Sequence, residues 1–286
     1  MGIDRIAVIG AGIMGRGIAQ VAAVGGFETV LQDIDAGQLQ SGLRDVQASL
    51  AKAVDRGSIE AEQARLALTR LRTVVALDAA VAGAQLVIEA VPERIHLKLE
   101  ILEKLDRLCS PQTILASNTS SLSITEMAAV TQRAPLVLGM HFFNPVPRMR
   151  LLEIVCALET SAAAIEAAQD IARRMGKEPV VVRESPGFIT SRINALIGNE
   201  AFRMLEEGVA SAADIDKALK LGLNHPMGPF ELVDLVGLDT RLSILEYLHR
   251  ALGDRFRPSP LLVQYVKGGR LGRKTGRGVY EYGSST

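Results

Sequence analysis

Apolar residues follow two regimes along the chain. Up to about residue 183, short β-branched apolar runs alternate with stretches whose apolar positions recur every three or four residues. The short runs Arg5–Ile9, Thr29–Gln32, Thr73–Ala76, Leu86–Val91, Thr113–Ala116, Leu136–Met140, Leu151–Val155 and Glu178–Val182 predict strands. The intervening stretches Arg16–Val24, Ala36–Gly57, Ala61–Leu71, His96–Leu108 and Ser161–Met175 predict helices. Such alternation implies an α/β fold, a mostly parallel, doubly wound sheet with helices on both faces. Ser185-Pro186-Gly187 marks a boundary, dividing the chain into domains 1–184 and 185–286. The second reads as all-helical, over Ile189–Glu207, Ala212–Leu221, Leu232–Val236 and Thr240–Leu252, with Gly222–Pro229 as its main break. A basic, Gly-rich tail, Gly268–Gly278, ends at Val279-Tyr280, which is expected to anchor it. No internal repeat is present.

Composition narrows the class. With 286 residues, 48% hydrophobic, the chain can bury a substantial core. Lys+Arg and Asp+Glu are both 32, and this balance argues against a nucleic-acid or membrane-surface partner. Cys109 and Cys156 lack metal-ligand spacing and point to a reducing compartment. Met1 leads directly into the first strand, leaving no room for a targeting peptide, and no apolar run of bilayer-spanning length lacks a charge or glycine. The expectation is a cytoplasmic chain with no metal.

The first fifteen residues carry the clearest chemistry. A strand runs straight into Gly10-Ala11-Gly12-Ile13-Met14-Gly15, and a helix follows. Glycine at 10 permits the tight turn, at 12 a close approach to a pyrophosphate, and at 15 close helix–strand packing. The pyrophosphate would lie on the helix N-terminus. Asp33, ending the second strand, suits a ribose hydroxyl, and together these predict a dinucleotide site. In a parallel sheet, ligands bind beyond the carboxyl ends of the strands. Asp33, Glu93, Ser120 and His141 each follow a predicted strand end and should share one rim. Histidine suits proton transfer near neutral pH. His96 and His249 fall in helical patterns and His225 in a turn, which leaves His141. Glu153, a carboxylate in the neighbouring apolar strand, could orient its imidazole, or could face water at a strand edge. Ser49, Lys52 and Arg56 share one helix face, and composition alone makes that face a solvated one.

Together, Gly10–Gly15, Ser117-Asn118-Thr119-Ser120-Ser121, Gly139-Met140-His141-Phe142-Phe143-Asn144-Pro145, Pro186-Gly187-Phe188-Ile189, Asn224–Pro229 and Lys274–Gly278 resemble the 3-hydroxyacyl-CoA dehydrogenase family. The likeness covers nearly the whole chain and is greatest to the family's bacterial, single-function 3-hydroxybutyryl-CoA dehydrogenases. It implies a Rossmann-like domain followed by a helical domain through which two chains form a homodimer. The implied reaction is oxidation of an (S)-3-hydroxyacyl-CoA, of short chain, to the 3-ketoacyl-CoA by NAD, or the reverse. The resemblance makes His141 the base, Glu153 its paired carboxylate and Ser120 the serine bonded to the substrate oxygen. Gly10, Ala11, Gly12, Ile13, Met14, Gly15, Asp33, Glu93, Lys98, Ser120, Asn144 and Lys274 match cofactor positions. Ser49, Lys52 and Arg56, with Ser120, fall where the family meets coenzyme A, which replaces the solvated-face reading. Ser191 stands where the family has asparagine, with Asn194 one helical turn later. Two other readings stand beside this one: a dehydrogenase of a free hydroxy acid or sugar acid, and a non-catalytic NAD-binding relative.

Overall fold

A computed structural model describes residues 2–283, which form two compact units divided in sequence between Ser185 and Pro186. The first holds eight strands: β1 (Arg5–Ile9), β2 (Glu28–Gln32), β3 (Leu71–Val74), β4 (Leu86–Glu89), β5 (Ile114–Ser117), β6 (Val137–Phe142), β7 (Leu151–Cys156) and β8 (Glu178–Arg183). They form one sheet in the order β3-β2-β1-β4-β5-β6-β7-β8. Every neighbouring pair is parallel except β6 and β7. Its helices are α1 (Ile13–Val24), α2 (Ala36–Asp55), α3 (Ala61–Arg70), α4 (Leu77–Val81), α5 (Ile95–Leu108), α6 (Ile124–Ala129) and α7 (Ala162–Arg174). β1 and β4 lie side by side, with β2 and β3 to one side and β5 to β8 to the other, so strand order reverses between β1 and β4. A crevice at the carboxyl ends of β1 and β4 is where such a sheet takes a ligand.

The central strands are buried on both faces, which is why they read as continuous apolar runs. Ile6, Val8, Leu31, Ile88, Met140 and Ile154 pack with Ile18 and Ala22 of α1 and Ala168 and Ile171 of α7 in one core. Boundaries depart from the sequence pattern where tertiary pairing wins. β3 begins at Leu71, whose buried side chain joins the core, and Val75 is left exposed. α4 and α6 are single short helices, too short for apolar periodicity to declare itself. β6 runs past the expected Met140 because the returning β7 pairs with it up to Phe142.

The second unit contains α8 (Thr190–Glu206), α9 (Ala212–Gly222), α10 (Pro229–Val236), α11 (Leu238–Leu252) and α12 (Pro260–Lys267). Proline at the first position of α10 starts that helix three residues before the pattern suggested, since its missing N–H is no loss there. Phe202 meets Phe230 edge-on, with ring centroids 5.2 Å apart, and Tyr265 at 5.8 Å. Two buried carboxylates tie the tail down. Asp216 accepts the N–H groups of Phe230 (2.8 Å) and Glu231 (3.0 Å), capping α10, and also the Tyr280 hydroxyl at 2.8 Å. Asp234 accepts from the N–H groups of Val279 and Tyr280 and from the Tyr282 hydroxyl, at 2.8, 2.9 and 2.9 Å. Burial pushes the Asp216 carboxyl above the usual carboxylate range, while its donors pull the other way. Among the described residues no helix is long and apolar enough to cross a membrane, and no cluster of His, Cys, Asp or Glu could hold a metal ion.

Candidate active site

The glycine turn joins β1 to α1. Gly10 has φ +100°, and a Cβ there would lie 2.8 Å from the carbonyl oxygen of Ala90, at the end of β4. A Cβ on Gly15 would run into the Gly10 carbonyl itself, so strand and helix touch backbone to backbone. Gly12 is different: a Cβ there would meet nothing of the protein within 4 Å. The fold does not require that glycine, whereas a pyrophosphate lying on the turn does. α1 begins at Ile13, not Arg16 as its pattern predicted, with Gly12 as its N-cap, so its first N–H groups, lacking intrahelical partners, open toward the same place. Asp33 stands just beyond β2. Its carboxylate accepts from Ala11 N–H at 2.7 Å and Asp35 N–H at 3.0 Å, which ties the acidic residue to the turn and leaves lone pairs for a ribose. These residues fit a dinucleotide.

At the other side of the rim, β6 and β7 place His141 directly opposite Glu153 in an antiparallel ladder. Residues opposed this way project on the same face, and the contact is 2.7 Å between His141 Nδ1 and Glu153 Oε2. Both side chains are buried. The water-facing alternative for Glu153 is thereby excluded. His141 is the fifth of six residues in β6, inside the strand rather than beyond its end as the sequence pattern suggested. Phe143 packs against the imidazole, with ring centroids 4.4 Å apart. A carboxylate at Nδ1 holds the ring, and with the proton on Nδ1 the acceptor is Nε2.

Between these two features lies the segment Ser117–Ser121, fixed residue by residue. Ser117 donates to Glu89 at 2.6 Å. The Asn118 side-chain oxygen accepts from Phe142 N–H at 2.9 Å, next to His141. Thr119 donates to Glu93 at 2.5 Å, and Ser120 meets the same carboxylate oxygen through its N–H (2.9 Å) and hydroxyl (3.2 Å). Sequence reasoning singled out Ser120 and Glu93, and Ser117-Asn118-Thr119 as part of one motif, but missed Glu89. Its signal was there: an acid closing a fully apolar strand.

Lys98 joins this cluster: it is 0% exposed and pairs with Glu89 at 2.8 Å and Glu93 at 3.4 Å. Other expected residues lie apart from it. Asn144 is exposed and precedes a cis bond to Pro145. The following loop is held by Lys177, a residue the sequence did not flag, whose buried amine donates to the carbonyls of Val146 and Met149. On α2, Ser49 is half-buried and Lys52 exposed, with Arg56 exposed just after the helix. In the second unit, Lys274 pairs with Asp239 at 2.6 Å, and α8 carries Ser191, half-buried, and Asn194, exposed. Burial raises the Cys109 thiol to about 11, so it is inert, and Cys156, also unpaired, is likewise raised.

A doubly wound sheet with a glycine turn at its switch point and an acidic residue after β2 defines a dinucleotide-binding protein of Rossmann type. Residues 5–185 match the 3-hydroxyacyl-CoA dehydrogenase NAD binding domain, and residues 187–282 match the C-terminal domain of the same enzymes. The chain belongs to the 3-hydroxyacyl-CoA dehydrogenase family of oxidoreductases, and its cofactor is NAD. It is 46% identical to a Bacillus subtilis protein named probable 3-hydroxybutyryl-CoA dehydrogenase, over 100% of both chains. It is 45% identical to 3-hydroxybutyryl-CoA dehydrogenase of Bradyrhizobium diazoefficiens, over 98% of this chain and 96% of that one. The crystal structure of (S)-3-hydroxybutyryl-CoA dehydrogenase from Ralstonia eutropha superposes with a TM-score of 0.95 at 43% identity, covering 99% of this chain and all of that one.

Proposed function

We propose that the chain interconverts an (S)-3-hydroxyacyl-CoA of short chain, such as 3-hydroxybutyryl-CoA, and its 3-ketoacyl-CoA. The observation that carries this reading is the buried His141–Glu153 pair at 2.7 Å, on the same rim as Ser120. NAD, when bound, supplies the hydride acceptor. His141 takes the substrate hydroxyl proton on Nε2. Glu153 holds the ring and stabilises the positive charge that the ring then acquires. Ser120 hydrogen-bonds the substrate oxygen as its charge changes. Glu93, Asn144 and Lys274 join Asp33 and the glycine turn as cofactor residues, and exposed Ile13 and Ile34 offer apolar surface to the cofactor's rings. Ser49, Lys52 and Arg56 on α2 receive coenzyme A, while Ser191 or Asn194 of α8 orients the acyl group.

The second unit is the substrate and dimerisation domain. Leu221, Leu223 and Val209 expose large apolar side chains there, a surface that a second copy of the chain would cover. The relatives from Bacillus subtilis and Bradyrhizobium diazoefficiens are bacterial and both cysteines are unpaired, which supports a place in the cytoplasm.

NADH absorbance with 3-hydroxybutyryl-CoA tests the reaction. His141→Gln is expected to lower kcat on the order of a hundredfold to ten-thousandfold. Glu153→Gln should fall in the same range, and the double variant little further, because the two act as one unit. Near-wild-type turnover of His141→Gln sinks the assignment.

A further inference from the structure

Arg241, near the start of α11, takes no part in the reaction proposed above, yet it is 4% exposed. Its Nε is wholly buried and finds no acceptor among the described residues. Burial lowers its proton affinity to about 10, which leaves the guanidinium charged at neutral pH, and no acid acts the other way. The acids carried nearby are engaged elsewhere. Glu231 of α10 pairs with Lys220 at 2.6 Å, and Asp234 receives the tail. Asp239, two residues before Arg241, holds Lys274 at 2.6 Å.

A buried cation without a partner is costly, and native structures almost always satisfy such a group. Here the local sequence makes room for the charge. Gly198 lies in the interior of α8, where glycine is a poor helix former. A Cβ on it would stand 3.8 Å from Nε of Arg241 and 3.1 Å from Cγ2 of Val233 on α10. α8, α10 and α11 thus close around one guanidinium, and none of their described residues pairs with it. Little of the side chain reaches solvent, so a partner from outside must be small. A carboxylate accepts two parallel N–H bonds from the edge of a guanidinium, a geometry that a spherical ion does not match. We propose that the junction of α8, α10 and α11 is a binding site for a short-chain carboxylate, held by Arg241. It shares no residue with the cofactor and substrate positions named above. Occupancy stabilises the second unit, because the ligand meets the guanidinium only when the three helices have closed.

Sodium acetate is the probe, exchanged for sodium chloride at constant ionic strength, with NADH saturating so that the glycine turn is occupied. At about ten times its Kd, acetate is expected to raise the wild-type Tm by about 2–4 °C and then to saturate. Equilibrium dialysis with radiolabelled acetate should find one such site per chain. Arg241→Met keeps an apolar stem and should abolish both effects. Arg241→Lys, which keeps the charge without the planar fork, should weaken acetate at least about tenfold. A wild-type Tm that is the same in acetate and chloride overturns the proposal. So does labelled acetate bound equally by wild type and Arg241→Met, which places it elsewhere. If wild type ignores acetate and Arg241→Met sediments as a monomer where wild type does not, a second copy of the chain supplies the carboxylate and the proposal fails. Should Arg241→Met not fold, Arg241→Lys is read by the same dialysis, and undiminished binding to it overturns the site.

Discussion

Asp33 illustrates how one side chain can set a preference between two cofactors. Its carboxylate is already anchored to the glycine turn through Ala11 N–H, so it cannot swing away from a 2′-phosphate without disturbing that turn. Two like charges ~4 Å apart at an effective dielectric of ~20 repel by about 4 kcal/mol, on the order of a thousandfold in affinity. Partial exposure screens much of this, so kcat/KM with NAD is expected to exceed that with NADP by at least about tenfold. Equal values would remove Asp33 from the ribose. Lys177 makes a second residue-scale prediction. Burial pushes its amine down to about 8, from an ordinary 10.5. Between those values the unfolded chain binds the proton more tightly than the folded one, so this group makes stability rise with pH across that window. Lys177→Met should lose the two loop hydrogen bonds and lower Tm at neutral pH. The difference in stability between wild type and variant should then grow in favour of wild type from pH 8 to 10.5. A difference that stays flat with pH would show that Lys177 does not titrate there.

At the scale of elements, α2 tests where the substrate's phosphates lie. Lys52→Ala with Arg56→Ala should raise KM for the acyl-CoA several-fold, leave NAD affinity nearly unchanged, and matter less as salt rises. The same loss with a truncated acyl-pantetheine would exclude a phosphate contact. α8 tests the departure at Ser191, since Ser191 and Asn194 are three residues apart on one helix and share a side. Ser191→Ala is expected to reduce kcat at saturating NAD more than Asn194→Ala; the reverse order assigns the orienting role to Asn194. These elements were legible in the sequence because each strand and helix carries its own periodicity. The acid–base pair was only half legible. His141 and Glu153 stood out as polar residues in apolar runs, but nothing along the chain announced that β7 would run antiparallel and set them opposite. Lys98 stood out only by resemblance, because nothing in the pattern of an amphipathic helix announces its burial against Glu89. α4 and α6 lay below the length at which periodicity is readable.

For the whole molecule, the exposed apolar residues of the second unit predict self-association. Sedimentation equilibrium should give twice the 30.6 kDa chain mass, and a concentration-independent monomer would refute the dimer. The pinned tail has a further consequence, which concerns the order in which the molecule can be made. The sheet of the first unit is complete once β8 has left the ribosome, so that unit can fold while synthesis continues. The second unit cannot. Asp234 is enclosed midway along its sequence, yet its donors Val279, Tyr280 and Tyr282 lie 45, 46 and 48 residues further on, and Asp216, already bonded to Phe230 and Glu231, gains the Tyr280 hydroxyl from 64 residues on. Until that segment emerges, Asp234 lacks these three donors and Asp216 one of its three. Full closure of the second unit therefore waits for the segment around Tyr280, and a chain cut short of Val279 is expected to leave a finished sheet beside a loosened helical unit, a clear substrate for proteolysis.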